Sequence, residues 1–142
     1  MKSRMTGPLV ILDGVTLLSH ETGKPLLLNI SWRVERGDRW VLFGRNGSGK
    51  TRLLEIMTGN QYPSSGKVER YVSMERETDV RVFRRHSGYV GTPARERMYR
   101  SESILDIVLS GLFGTAALYD APAPGDRDRA RELIANAGLG GR

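Results

Sequence analysis

The sequence predicts an α/β domain in which a buried strand leads into a glycine-rich loop, and the loop opens directly into a helix. Arg39–Phe43 is a short, nearly all-apolar run, typical of a strand buried on both faces. Glycines are concentrated in the loop Gly44–Gly49 that follows. A helix is predicted over Lys50–Thr58, because its apolar residues recur at helical spacing and Gly59 stands where a helix ends. Those apolar residues are Leu53, Leu54 and Met57.

The composition is that of a globular chain. The chain has 142 residues, of which 39% are hydrophobic and 27% charged, so it can form one domain or a large piece of a bigger one. Cysteine is absent, which excludes disulfides, thiolate metal sites and a cysteine nucleophile. The longest mostly apolar stretch, Ile104–Leu118, is interrupted by polar residues and glycines, whereas a membrane-spanning helix needs about 20 apolar residues. The apolar run Leu9–Leu12 is too short for a secretory signal, so we expect a cytoplasmic protein.

Strands are predicted on both sides of the loop. Leu9–Leu12 and Val15–Leu18 form short strands around Asp13–Gly14, which is a turn signal or a bulge. Leu26–Val34 alternates as a half-buried strand, and a turn at Glu35–Asp38 follows it. The residues expected on the buried face of that strand are Leu28, Ile30, Trp32 and Val34. Further strands are predicted at Val68–Val72 and Ser87–Val90, and residues 73–86 are ambiguous.

Two more helices are predicted towards the end of the chain. Ser103 with Asp106 three residues later forms a variant of the capping box, at the start of a helix that runs to about Leu112. Asp126–Asn136 is an amphipathic helix with acids in its first turn and Gly138 beyond its end.

The segment Gly44–Thr51 matches G-x-x-x-x-G-K-[ST], the phosphate-binding loop. Glycines let backbone N–H groups converge on an anion without clashes from Cβ atoms. The N-terminus of the following helix adds unpaired donors and a partial positive charge. Lys50 is a point charge suited to the β- and γ-phosphates, and the Thr51 hydroxyl can bind Mg²⁺. The glycine order is not G-x-G-x-x-G, so a dinucleotide-binding loop is the poorer interpretation.

The segments around the loop form a longer pattern. In order, they are Leu28–Trp32, Arg36–Asp38, Val41–Gly44, the loop itself, Arg52–Gly59 and Pro63–Val68. This pattern strongly resembles the nucleotide-binding domain of ABC ATPases, and the resemblance runs from about Leu9 to the end of the chain. It implies a P-loop NTPase fold with an N-terminal antiparallel β-subdomain. Walker B and the signature segment lie further downstream in this family, so the chain is expected to be a partial domain, 1–142, truncated before both.

The resemblance also divides the chain and implies its ligands. The β-subdomain and phosphate-loop core are expected at about 9–72, and the Q-loop region with the start of the helical subdomain at about 87–142. The implied cofactors are ATP and Mg²⁺, with Mg²⁺ expected at Thr51. The residues expected to bind ATP are Gly44, Arg45, Asn46, Gly47, Ser48, Gly49, Lys50, Thr51 and Arg52. No catalytic residue is assigned, since nothing in the chain matches the Asp that steadies Mg²⁺ or the Glu that polarises water in this family.

The sequence departs from the family pattern at two places and mimics it at two others. The glutamine expected just after Gly88–Val90 is absent, and Gly91–Pro93 stand in its region. The aromatic residue that stacks on adenine is also missing, and His20 could either stack there or lie in a solvated loop. Leu9–Asp13 has the form of a Walker B strand but precedes the phosphate loop. Leu109–Gly111 begins like the ABC signature but continues without its glycine and glutamine.

The function that the resemblance implies is ATP binding and, in a complete domain, ATP hydrolysis. Its implied partners are a second ABC domain, in a homo- or heterodimer, and membrane permease subunits that would hold it at the inner face of the membrane. Val108–Gly114 and Leu118–Asp120 are similar to the molybdate-type and photorepair-type proteins, which suggests import of an oxyanion such as molybdate. Alternatives are a soluble ABC ATPase in DNA repair or translation, a truncated module that binds nucleotide without hydrolysis, and a P-loop kinase of another family.

The basic charge of the chain indicates its function less specifically than the phosphate-binding loop does. The formal net charge is +6, but acidic residues are interspersed among the basic ones. Arg84–His86 is the densest basic segment, and it lacks an aromatic platform on which bases could stack. The sequence therefore contains no strong indication of nucleic-acid binding.

Overall fold

A computed structural model describes residues 7–91 and 102–140. The chain forms two compact units, the first ending at Phe83 and the second beginning at Arg84. The proposed boundaries of the subdomains, about 9–72 and 87–142, stay predictions.

A four-stranded antiparallel sheet forms the first unit. The strands are β1 (Pro8–Leu18), β2 (Pro25–Glu35), β3 (Ser65–Val72) and β4 (Glu75–Glu77), and their order in the sheet is β2-β1-β3-β4. Each neighbouring pair is antiparallel. The predicted antiparallel β-subdomain is therefore confirmed.

The Asp13–Gly14 pair is a bulge inside β1 rather than a turn between two strands. Leu12 lies opposite Trp32, and the next partners along the strand are Val15 and Ile30, so the register shifts there. Gly14 has φ 60°, a left-handed conformation that glycine adopts without steric cost. The two predicted short strands are thus one continuous strand.

A second bulge, in β2, reverses the predicted alternation at its start. Leu17 pairs with Leu27 while Val15 pairs with Ile30, so β2 has one extra residue there. Asn29 takes a positive φ of 50° in this bulge. As a result Leu27 is buried and Leu28 is 67% exposed. The expectation that Leu28 shares the buried face was wrong, because one inserted residue moves the preceding side chains to the other face.

The ambiguous residues 73–86 form two short elements. A hairpin joins β3 to β4 through Ser73 and Met74, which both have positive φ, at 50° and 75°. A short helix, α2 (Val80–Arg85), follows. Phe83 of this helix is buried in the core of the first unit.

The helix after the glycine-rich loop, α1 (Lys50–Met57), is where the sequence predicts it. Ile56 is fully buried and Leu53 is buried, whereas Leu54, predicted on the same face, is 38% exposed. The helix joins one hydrophobic core with the sheet. The buried members of this core are Val10, Leu12, Val15, Leu17, Leu27, Val34, Leu53, Ile56, Met57 and Phe83.

Two predicted strands are absent from the described part of the chain. Arg39–Phe43 pairs with no strand of the described sheet, and Val41 and Phe43 are 76% and 93% exposed. An isolated extended segment has no ladder partners for its N–H and C=O groups, so burial on both faces requires neighbouring strands. Ser87–Val90 is likewise irregular.

Two complete helices lie in the part of the second unit that the structure describes. They are α3 (Ile104–Ser110), which continues as a 3₁₀ turn over Gly111–Phe113, and α4 (Asp126–Asn136). The Ser103 hydroxyl accepts a hydrogen bond from the Asp106 N–H at 3.1 Å, which confirms the predicted cap. Gly138 has φ 75° just past α4, as its position predicted. Among the helices that the structure describes, none combines the length and apolar character that crossing a membrane requires.

Candidate phosphate-binding loop

The loop Gly44–Gly49 leads directly into α1, so the first turn of the helix faces the loop. The Leu53 N–H donates to the Gly49 carbonyl at 2.9 Å, which is the first bond of the helical ladder. The amides of Lys50, Thr51 and Arg52 precede it and have no carbonyl four residues back within the helix. Such donors, together with the positive end of the helix dipole, suit the binding of an anion.

Glycine is required at Gly49 for two separate reasons. Its φ of 87° is left-handed, a conformation that L side chains rarely adopt. A Cβ atom there would also lie 2.7 Å from Cδ2 of Leu27 and 2.8 Å from the backbone oxygen of Leu26. The loop therefore packs its last glycine against β2, and this contact fixes where α1 begins.

The Lys50 ammonium lies against the inside of the loop. Its Nζ donates to the carbonyl oxygens of Gly44 and Arg45, each at 2.7 Å, and to the Ser48 hydroxyl at 3.3 Å. An ammonium has three N–H donors, so the loop can engage all of them. The two short carbonyl bonds hold the charge beside the loop amides, and the longer Ser48 bond is the one a phosphate oxygen would most easily replace.

The predicted loop residues lie in accessible positions. Arg45, Asn46, Gly47, Ser48 and Thr51 are exposed. Gly47 adopts φ 79°, and a Cβ there would meet nothing within 4 Å. The Thr51 hydroxyl is on the first turn of α1, where the sequence predicts a Mg²⁺ ligand. The described residues contain no group of three or more His, Cys, Asp or Glu side chains that could hold a metal ion.

The Arg52 side chain contacts residues behind the loop. Its Nη1 donates to Oε2 of Glu55 at 3.0 Å and to Oε1 of Gln61 at 3.4 Å. The Glu55 side chain is 2% exposed, so this pair partly compensates a buried carboxylate. The backbone amide of Arg52, in the first turn of α1, is the group that fits the predicted nucleotide contact.

The other residues singled out from the sequence lie away from the loop in the chain. His20 is exposed in the β1–β2 turn. Asp13 is exposed at the bulge of β1. Leu109 and Ser110 are buried at the end of α3. Of the residues expected to replace the family glutamine, 92–93 lie outside the described residues.

One positioning residue was missed by the sequence reasoning. Arg70 on β3 donates from Nε to the Met57 carbonyl at 3.1 Å and from Nη2 to the Ile56 carbonyl. The guanidinium also lies 5.8 Å from the ring centroid of Phe83. A cation at the C-terminal carbonyls of a helix complements the helix dipole. No sequence signal links Arg70 to α1, because the contact depends on the sheet register.

The antiparallel sheet and the glycine-rich loop before α1 are the features expected of an ABC-type nucleotide-binding domain, and comparisons with known proteins agree with this class. The family profile described as "ABC transporter" matches residues 27–141. The chain belongs to this family of ABC transporter ATP-binding domains. The solved structure of the ATP-binding cassette MJ0796, a dimer in a post-hydrolysis state bound to ADP and Pi, matches with a TM-score of 0.52 and 20% identity over 92% of this chain and 57% of that one. This likeness confirms the predicted fold class.

Among curated relatives, several ATP-binding proteins are similar over most of this chain. The chain is 34% identical to the uncharacterized ABC transporter ATP-binding protein YlmA of Bacillus subtilis (strain 168), over 89% of this chain and 48% of YlmA. It is 30% identical to the manganese transport system ATP-binding protein MntB of the same organism, over 92% of this chain and 49% of MntB. It is 28% identical to the ABC transporter ATP-binding protein ModF of Escherichia coli (strain K12), over 78% of this chain and 22% of ModF. The chain thus spans about half the length of YlmA and MntB.

Proposed function

We propose that this chain binds Mg²⁺·ATP at Gly44–Arg52 as part of the ATP-binding subunit of an ABC transporter. The observation that carries the proposal is the position of the Lys50 ammonium, 2.7 Å from the carbonyls of Gly44 and Arg45 and beside the first turn of α1. This arrangement places a fixed positive charge next to free backbone donors. Polyphosphate is the ligand that such a cradle suits, since charge and N–H donors act on the same oxygens.

Nucleotide binding can be measured directly on the 142-residue chain by isothermal titration with Mg²⁺·ATP. We expect Lys50→Met to weaken binding by roughly tenfold or more, because a charge-assisted contact to phosphate is lost. Lys24→Met is the matched control, since Lys24 is an exposed lysine in the β1–β2 turn. Equal affinities for wild type and Lys50→Met, with both folded, would contradict the proposal.

The Mg²⁺ role of Thr51 has its own test. Titrations of ATP with and without Mg²⁺ measure how much the metal strengthens binding. We expect Thr51→Val to remove most of that gain and Thr51→Ser to retain it, because serine keeps the hydroxyl ligand. If Thr51→Val keeps the full gain, the metal is bound elsewhere.

ATP hydrolysis and partners are proposed for the whole protein. We place it in a dimer with a second ABC domain, attached to permease subunits at the inner face of the membrane. Support comes from the family membership and from relatives about twice as long as this chain. The intact mass of the gene product, isolated from its own cells, measures whether the native protein is longer than 142 residues. A heavier product would support hydrolysis by the completed domain, and a product of 142 residues would restrict the function to nucleotide binding.

Two transported substrates are candidates. Import of an oxyanion such as molybdate is supported by the resemblance at Val108–Gly114 and Leu118–Asp120. Transport of manganese is supported by the 30% identity to the manganese transport system protein MntB over 92% of this chain. Cells with the gene deleted and restored can be compared for uptake of radiolabelled molybdate and manganese. Loss of only one uptake activity would assign the substrate, and loss of neither would remove both candidates.

A further inference from the structure

A pocket in the second unit shares no lining residue with the phosphate loop. It lies between the N-terminal end of α3 and the C-terminal end of α4 and has a volume of about 580 Å³. This volume is within the range of pockets that hold small ligands. Its walls include four apolar side chains and two charged ones. They are Ile104, Leu105, Ile134, Leu139, Glu102 and Arg131.

The two charged side chains of the pocket differ in their hydrogen-bond partners. Arg131 donates from Nη1 to Oδ1 of Asp128 at 2.8 Å, so its charge already has a partner. By contrast, Oε2 of Glu102 is shielded from solvent and has no hydrogen-bond partner within the part of the chain that the structure describes. The neighbouring Ser103 hydroxyl donates its hydrogen bond to Oδ2 of Asp106, at 2.7 Å, and not to Glu102. Oε2 of Glu102 is therefore a buried acceptor without a partner among the described residues that line this pocket.

From this combination we infer that the pocket binds an alkyl cation, that is, a guanidinium or ammonium group on an apolar stem. The cationic head would donate to the Glu102 carboxylate, and the stem would lie against Ile104, Ile134 and Leu139. The last side-chain torsion of glutamate is broad, so a small rotation can present Oε2 to the head group. Arginine and lysine side chains of a partner protein carry this chemistry, and so do free alkylamines.

The probe for the test is butylguanidinium, with butylurea as its neutral counterpart of similar shape. Isothermal titration of the full chain should show butylguanidinium binding roughly tenfold more tightly, because only the cation forms a charge-assisted bond with a carboxylate. Equal binding of the two probes, or binding of neither, would overturn the inference. This comparison uses the unmodified chain and does not depend on any variant folding.

Variants then locate the contact. Glu102→Gln should bring the two affinities to within about twofold, because the charge is removed while the shape is kept. Glu132→Gln is the matched control, since Glu132 is an exposed glutamate on α4, and it should keep the full difference. A Glu102→Gln chain that still prefers butylguanidinium tenfold would place the cation elsewhere and refute the assignment. Lys50→Met should leave butylguanidinium binding unchanged, which separates this pocket from the nucleotide site.

A blocked tripeptide, acetyl-Ala-Arg-Ala-amide, distinguishes the two sources of the cation. Binding of the peptide at least as tight as that of butylguanidinium, with the same sensitivity to Glu102→Gln, supports a partner side chain as the occupant. Binding of only the free cation supports a small alkylamine as the ligand.

Discussion

Arg70 donates from Nε to the carbonyl oxygen of Met57, 3.1 Å away, at the opposite end of α1 from the phosphate loop. A second bond from the same guanidinium reaches the carbonyl of Ile56. The sheet thus holds the helix at its C-terminus while Gly49 packs against β2 just before its N-terminus. Both ends of the element that would present amides to a phosphate are fixed to the same sheet.

Loss of the Arg70 contacts should weaken the first unit. We expect Arg70→Met to lower the free energy of unfolding by about 2 kcal/mol, since hydrogen bonds from a charged donor to two carbonyls are removed. Urea unfolding followed by tryptophan fluorescence measures this, because Trp32 and Trp40 both lie in the first unit. Arg81→Met is the control, with its side chain 59% exposed and 3.6 Å from Asp79. It should change stability by less than about 0.5 kcal/mol. Equal effects of the two variants would show that Arg70 does not hold the helix.

Gly49→Ala should be more damaging than an alanine at another left-handed glycine. Gly37 has nearly the same φ, 88°, but a Cβ there meets nothing within 4 Å. Gly37→Ala should therefore cost only the backbone term, about 1 kcal/mol. Gly49→Ala adds collisions with Leu27 and with the backbone of Leu26, and we expect a total near 3 kcal/mol. The same unfolding experiment compares the two. If Gly49→Ala lowers the free energy of unfolding as little as Gly37→Ala does, the atoms of β2 around Gly49 can move to accommodate a Cβ.

Arg52 and Arg45 should differ in how much their side chains contribute to the free energy of unfolding. Arg52→Met removes a cation from the buried Glu55 carboxylate and should lower stability by about 1.5 kcal/mol. Nucleotide affinity should change by less than about threefold, because the expected contact is through the backbone amide. Arg45 is exposed on the loop, so Arg45→Met should leave stability within about 0.5 kcal/mol. Unfolding and titration on both variants test this, and a large affinity loss in Arg52→Met alone would assign its side chain to the nucleotide.

The pH dependence of stability should include a contribution from Glu69 on β3. A hydrogen bond from Lys67 Nζ, 2.7 Å away, and a second from the Tyr71 hydroxyl, at 2.8 Å, lower the pKa of Glu69 below its ordinary value of 4.5. A carboxyl whose pKa is lowered by folding stabilises the native state above its unfolded pKa, and this stabilisation is lost as the pH falls through the folded pKa. The hydrogen bond to Glu69 also raises the pKa of Tyr71 above its ordinary value of 10.0. The contribution of Tyr71 to folding stability is therefore lost only as the pH rises into the alkaline range.

Stability of wild type and Glu69→Gln over a pH series tests this sign. The difference in the free energy of unfolding should be present at neutral pH and should shrink below pH 4.5. The exposed Glu75→Gln serves as the control for removing a carboxylate from the sheet surface. A difference that stays constant from neutral to acid pH would mean that the Lys67 and Tyr71 contacts do not favour the charged carboxylate.

Features set by neighbouring residues could be predicted from the sequence. The phosphate loop, the start of α1 at Lys50, the Ser103 cap and the end of α4 before Gly138 all follow from short-range chemistry. Each depends on residues within a few positions, through left-handed glycines or side chains that bond to nearby amides. The resemblance to ABC ATPases then predicted the fold beyond these local features, and the family match over residues 27–141 confirms that prediction.

The tertiary structure decided what depends on residues far apart in the chain. The bulge at Asn29 changes which leucine of β2 is buried, and only the register against β1 reveals it. Arg39–Phe43 has the composition of a buried strand but is exposed where the described sheet offers it no partner, because burial of a strand is a property of its neighbours. The contact of Arg70 with α1 likewise depends on the position of β3. The sequence alone determined the local chemistry of the loop, and packing determined how that loop is held.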